Sequence, residues 1–125
     1  MEGVEKLAQA IWQKEASKDA QLNIIFVNDS ALVELNKQYL SRGHKTDVIA
    51  FPLSKATDTS FEGEIYISVE RVVENAGEYG ASVGMELKRV VVHGILHFLG
   101  YCDKTPEKRR LMSQREDYYL NLSNG

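Results

Sequence analysis

The chain predicts an α+β domain, a small mixed β-sheet packed with helices. Three observations point there. "GEIYIS" (63 to 68) alternates apolar and polar residues as a half-exposed strand does, with Ile65 and Ile67 on one face and Glu64 and Tyr66 on the other. "GMELKRVVVHGILHFL" (84 to 99) is the most apolar helical stretch. Strands and helices also follow one another without a regular βαβ alternation, which points to helices packed against a small sheet.

Taken in order, residues 2 to 18 place Val4, Leu7, Ala8, Ile11 and Trp12 at helical spacing and predict an amphipathic first helix. "LNIIFVN" (22 to 28) is β-branched and aromatic, hence a strand. Asp29 or Ser30 can cap a second helix whose inner face is Leu32, Leu35 and Tyr39. "TDVIAFPL" is a second strand ended by Pro52, and the polar "SKATDTS" is a loop. Ser68 starts a periodic run through Val69, Val72, Val73 and Ala76, and the glycines at 77, 80 and 84 mark its end and the start of the next helix. Beyond the turn, Pro106 suits a first helical position and "PEKRRLMSQREDYYLNL" closes the chain as a helix.

At 125 residues, 43% of them hydrophobic, the chain can bury one core, so residues 1 to 125 are expected to form a single domain. No run approaches the apolar length of a membrane span, and the charged amino terminus does not resemble a signal peptide. Cys102 is the sole cysteine, so no internal disulfide can form and a cytoplasmic setting is expected. The formal charge of −3 excludes a global basic surface for nucleic acid. Any such surface must be local, and the candidates are Arg42 and Lys45 in "SRGHK", and Lys104, Lys108, Arg109 and Arg110 in "DKTPEKRR". Their alternative is an ordinary solvated surface.

"HGILHFLGYCD" (93 to 103) is the stretch with chemistry in it. On a helix, His93 and His97 lie one turn apart on the same face, where two imidazoles can converge on one ion. A continuing helix would carry residue 103 out of reach, but Gly100, just past the helix end, can take a left-handed conformation and return Asp103 toward the histidines. Two imidazoles and a carboxylate suit one zinc ion per chain, and three protein ligands leave a position open, as in catalytic sites. Cys102 could supply a fourth ligand; a small packed residue is its other reading.

The same stretch resembles the signature of the YbeY family of endoribonucleases, H-G-x-L-H-x-x-G-Y-D-H. "LNKQYL", "TDVIAFP" and "GEIYIS" are similar to further family segments in the same order. The resemblance implies an α+β fold, zinc, hydrolytic cleavage of single-stranded RNA, and a role in small-subunit rRNA maturation and ribosome quality control. Its partners would be rRNA and the small ribosomal subunit or assembly factors, with neither DNA nor membrane expected. The ligand positions map onto His93 and His97. The third family histidine falls on Asp103 and the aspartate before it on Cys102. A carboxylate there leaves the ion at a lower net charge than a third imidazole, so water on it should be less acidified. The family's arginine after the tyrosine is replaced by Leu40, which leaves Arg42 as the nearest phosphate contact.

Metzincin peptidases share the histidine spacing but place a glutamate directly after the first histidine as general base. Here that residue is Gly94. A peptidase lacking the base should be severely impaired, whereas Gly94 is expected to leave room beside the metal for a phosphodiester. His44, in the basic loop, is the candidate for a proton-transfer role, with a surface histidine as the alternative. Three classes thus compete: a metal-dependent endoribonuclease, a zinc peptidase, and a non-catalytic ribosome-assembly factor that uses the ion for folding.

Overall fold

The computed structural model describes residues 2–16, 18–40, 48–55, 59–102 and 104–124. The chain runs α1 (Glu2–Glu15), β1 (Ala20–Val27), α2 (Asp29–Leu40), β2 (Val48–Pro52), β3 (Phe61–Ser68), α3 (Val69–Tyr79), α4 (Val83–Phe98) and α5 (Pro106–Asn124). Its α+β class and mixed sheet agree with the pattern of the sequence. The strand order is β1-β3-β2, with β1 parallel and β2 antiparallel to the central β3.

Helix α4 is the centre of the molecule, packed against α1, α3, α5 and the sheet. Val90, Val91, Val92, Ile95 and Leu96 are all buried, which leaves a narrow polar face. Ile65 and Ile67 of β3 are fully buried beneath it, as the alternation requires, while Glu64 and Tyr66 are half-exposed. From α1, Val4, Ala8, Ile11 and Trp12 join the same core. Burying one side chain of this kind is worth about 1.5–3 kcal/mol, so the apolar stripe on each helix decides which face turns inward.

Several local expectations are corrected. Asn28, not Asp29 or Ser30, caps α2: its Oδ1 accepts from the Ala31 N–H at 2.7 Å. Asp29 instead pairs with Arg71 at 3.3 Å. On α3, Val72 and Ala76 are buried, whereas Val69 and Val73 stay 46% and 50% exposed. The two pairs lie on adjacent faces of one helix, and only one can meet the core. Gly77 lies within α3; Gly80 ends it, with φ of 66°. Gly84 sits in the first turn of α4, which Ser82 caps by accepting from the Met85 N–H at 3.1 Å.

Candidate metal centre

The two histidines project from the last turns of α4, and the helix ends as the glycine suggested. Gly100 has φ of 99°. Its N–H donates to His97 O at 3.1 Å and the Tyr101 N–H donates to Leu96 O at 3.0 Å, the bond pair of a Schellman ending. The chain therefore reverses directly after the histidine turn. Tyr101 is then tied back by its hydroxyl, which donates to Glu15 Oε1 at 3.0 Å; Tyr119 of α5 donates to the other oxygen of the same carboxylate. Burial first, and the Glu15 carboxylate second, raise the pKa of both phenols.

His93 and His97 bring their Nε2 atoms to 3.0 Å. His93 Nδ1 lies 2.6 Å from Glu116 Oε2, and the glutamate is largely buried. A carboxylate can only accept, so the Nδ1 position carries the hydrogen and the Nε2 lone pair of a neutral His93 faces His97. Lone pairs at such a distance repel unless a proton or a cation lies between them. The spacing is near the edge of about 3.3 Å expected between two nitrogens on a tetrahedral zinc with bonds of 2.0–2.1 Å. A carboxylate behind a ligand histidine is also a recurrent feature of metal sites, where it fixes the tautomer and raises ligand basicity. Two of the donors that a zinc ion would need thus stand together on α4.

Glu116 was not singled out by the sequence. It is one of eighteen acids and stands 23 residues after His93, on another helix. No spacing rule links such positions; only the packing of α5 on α4 does.

Gly94 corrects a second expectation. It is buried, and a Cβ placed on it would meet Ile65 Cδ1 at 3.1 Å and Cγ2 at 3.3 Å. Its missing side chain admits the sheet, not a phosphodiester. The glycine lets α4 lie close on β3, and a glutamate here would be driven into Ile65.

Asp103, Arg42, His44 and Lys45 lie outside the described residues. Among the described residues, no group of three His, Cys, Asp or Glu is placed to hold a metal. Cys102 is a free, half-buried thiol. Lys104, Lys108, Arg109 and Arg110 are all exposed at the start of α5, which Thr105 caps by accepting from the Lys108 N–H at 3.1 Å. Lys108 also lines a cavity of about 350 Å³ with Gly100, Tyr101 and Cys102, at the turn that follows the histidines. No described helix is long and apolar enough to cross a membrane.

Residues 1–124 match the family model described as Endoribonuclease YbeY. The Endoribonuclease YbeY of Flavobacterium psychrophilum is 44% identical over 108 residues, which covers 86% of this chain and 76% of that one. The protein of the same name from Cytophaga hutchinsonii is 39% identical over 112 residues, covering 90% and 78%. A Thermotoga maritima protein solved in solution superposes with a TM-score of 0.68 at 32% identity, over 98% of this chain and 79% of that structure.

Proposed function

We propose that this chain, which belongs to the YbeY family of endoribonucleases, depends on zinc and is specific for single-stranded RNA. Its setting would be small-subunit rRNA maturation and ribosome quality control in the cytoplasm, with rRNA and the small subunit or assembly factors as partners. One observation supports the site above all others: two imidazole nitrogens of α4 converge to 3.0 Å, with one ring anchored from behind by a carboxylate.

In this reading His93 and His97 hold one zinc ion through Nε2, and Asp103 is the third ligand. Zinc, when bound, polarises a phosphoryl oxygen and acidifies water toward neutral pH. Glu116 keeps the hydrogen on His93 Nδ1, so the ring stays neutral and correctly turned for the ion. The Asp103 carboxylate offsets part of the ion's charge. The Schellman ending at Gly100 reverses the chain directly after His97, and the Tyr101–Glu15 bond ties that turn to α1. Lys104, just before α5, and Lys108 and Arg109 on its first turn are exposed and can meet RNA phosphates; Arg42, His44 and Lys45 are proposed to act from the segment that precedes β2. A peptidase reading lacks its general base, since Gly94 faces Ile65.

The test is elemental analysis of the purified protein combined with digestion of single-stranded and duplex RNA of equal length. Zinc near one per chain, with cleavage confined to the single strand and abolished by a chelator, is the expected result. Cleavage unaffected by complete metal removal would overturn the metal assignment, and no cleavage of either RNA by the zinc-loaded protein would overturn the activity.

A further inference from the structure

Beside the histidine turn lies a cavity of about 480 Å³ that the reading above does not use. Its floor is aromatic. Phe98, which directly follows His97, packs against Phe61 with ring centroids 4.9 Å apart, and Phe61 stacks on Trp12 at 4.6 Å. Gly63 sets this arrangement: a Cβ there would come within 2.7 Å of both Phe61 Cε2 and Phe98 Cζ, so only glycine lets the Phe98 ring lie across β3. Trp12 is held in turn by its indole N–H, which donates to Lys18 O at 2.7 Å. The platform is therefore preorganised, and Phe61 and Phe98 are only half-buried.

Lys18, between α1 and β1, and Lys55, after β2, line the same cavity from different segments. In a chain of net charge −3, two cations beside an aromatic floor are a local exception. Glu15 also borders the cavity and accepts from the hydroxyls of Tyr101 and Tyr119, so the lining carries two lysines against one carboxylate. Flat π-faces next to lysines match single-stranded nucleic acid, whose bases stack while its phosphates meet cations. The volume lies in the range of small-ligand pockets.

We infer that this groove is a nucleobase subsite of the RNA path: one base stacks on the Phe98 ring, which Phe61 backs at a tilt of 57°, and Lys18 and Lys55 hold the flanking phosphates. The inference rests on the RNA-cleaving reading and extends it from the metal centre to the strand. Stacking has no base preference of its own, so the subsite positions any sequence.

The test uses fluorescence anisotropy with the zinc-loaded protein and a short 2′-O-methyl single strand, which resists cleavage. Phe98→Leu keeps an apolar filler over Gly63 but removes the π-face, and should weaken binding roughly tenfold. An abasic position moved along the strand should reproduce that loss at one site, and there the two losses should not add. Lys18→Gln and Lys55→Gln should each lower the salt slope of log affinity by about 0.7. Lys55 is exposed, so its variant tests the idea even if Phe98→Leu unfolds. Wild-type slope in both lysine variants, or additive losses at every abasic position, would overturn the subsite while RNA cleavage by the wild type leaves the metal reading intact. A wild type that neither binds nor cuts RNA would sink that reading, and this inference with it.

Discussion

Two carboxylate–base pairs sit on the same helix and do different things. Near the start of α4, Glu86 is 2% exposed and receives two bonds from Arg89, Nε to Oε1 at 2.9 Å and Nη2 to Oε2 at 2.6 Å. The pair is three residues apart on one helix. Near the end, Glu116 reaches His93 from α5, and its bond uses only the Nδ1 side of the ring. The other nitrogen is left facing His97. A bidentate pair within one helix satisfies both partners and serves stability; a single bond from another element orients a ring and leaves its reactive edge available.

That contrast can be broken at either end. The largest effect is expected at the histidines. His93→Ala or His97→Ala should drop zinc from one per chain to near zero by elemental analysis and take RNA cleavage to background, because two remaining ligands rarely retain the ion. Retention of full stoichiometry in the double variant would show that the metal sits elsewhere.

At the opposite end, Arg89→Leu leaves Glu86 buried without its partner, a change expected to cost about 3 kcal/mol. Urea titration should show that loss, while zinc content of the folded fraction stays at the wild-type level. A fall in zinc affinity would mean that the two halves of α4 are coupled.

Glu116→Ala should do the reverse, lowering zinc affinity about 10–100-fold with a small change in folding stability. Glu116→Gln should lie between, since an amide oxygen can still accept from Nδ1 but carries no charge. Competition against a zinc indicator separates the three proteins. If both variants bind as the wild type does, the carboxylate is an incidental neighbour of His93.

A third carboxylate sharpens the comparison because it is long-range yet structural. Glu15 joins α1 to the post-histidine turn and to α5 through Tyr101 and Tyr119. Both phenols titrate above their ordinary value near 10, chiefly through burial. The unfolded chain therefore releases these protons first as pH rises. Stability from the cluster is complete below pH about 10 and declines as pH climbs toward the raised folded values. Denaturant melts between pH 8 and 11 should show this fall, the smallest effect of the series, and Tyr119→Phe should flatten it. An equal slope in the variant would assign the alkaline loss to other groups.

How much of this could be read from the residues depends on the range of the interaction. The strand in β3 was legible because a two-residue period reports a face without naming a partner. So was the reversal at Gly100, a local event governed by the backbone freedom of one residue. On α3 the periodic run gave the helix but not its inner face, since a hydrophobic pattern marks Val69, Val72, Val73 and Ala76 alike and does not say which of two adjacent faces finds a neighbour. Gly94 was misread for a related reason: an absent side chain has no pattern, and whether it makes space for a ligand or for Ile65 depends on what lies opposite.

By itself the sequence determined the α+β class, the two imidazoles on one face of a helix and the left-handed turn behind them, because each follows from backbone geometry and the spacing of a few neighbouring residues. Tertiary structure alone decided the parallel pairing of β1 with β3, the tight seat of Gly94 on the sheet, and the approach of Glu116 to His93. Each of these joins positions whose separation along the chain bears no relation to a helical or strand period. They meet only when helix α4 is buried among its neighbours and the other elements are forced to pack around it.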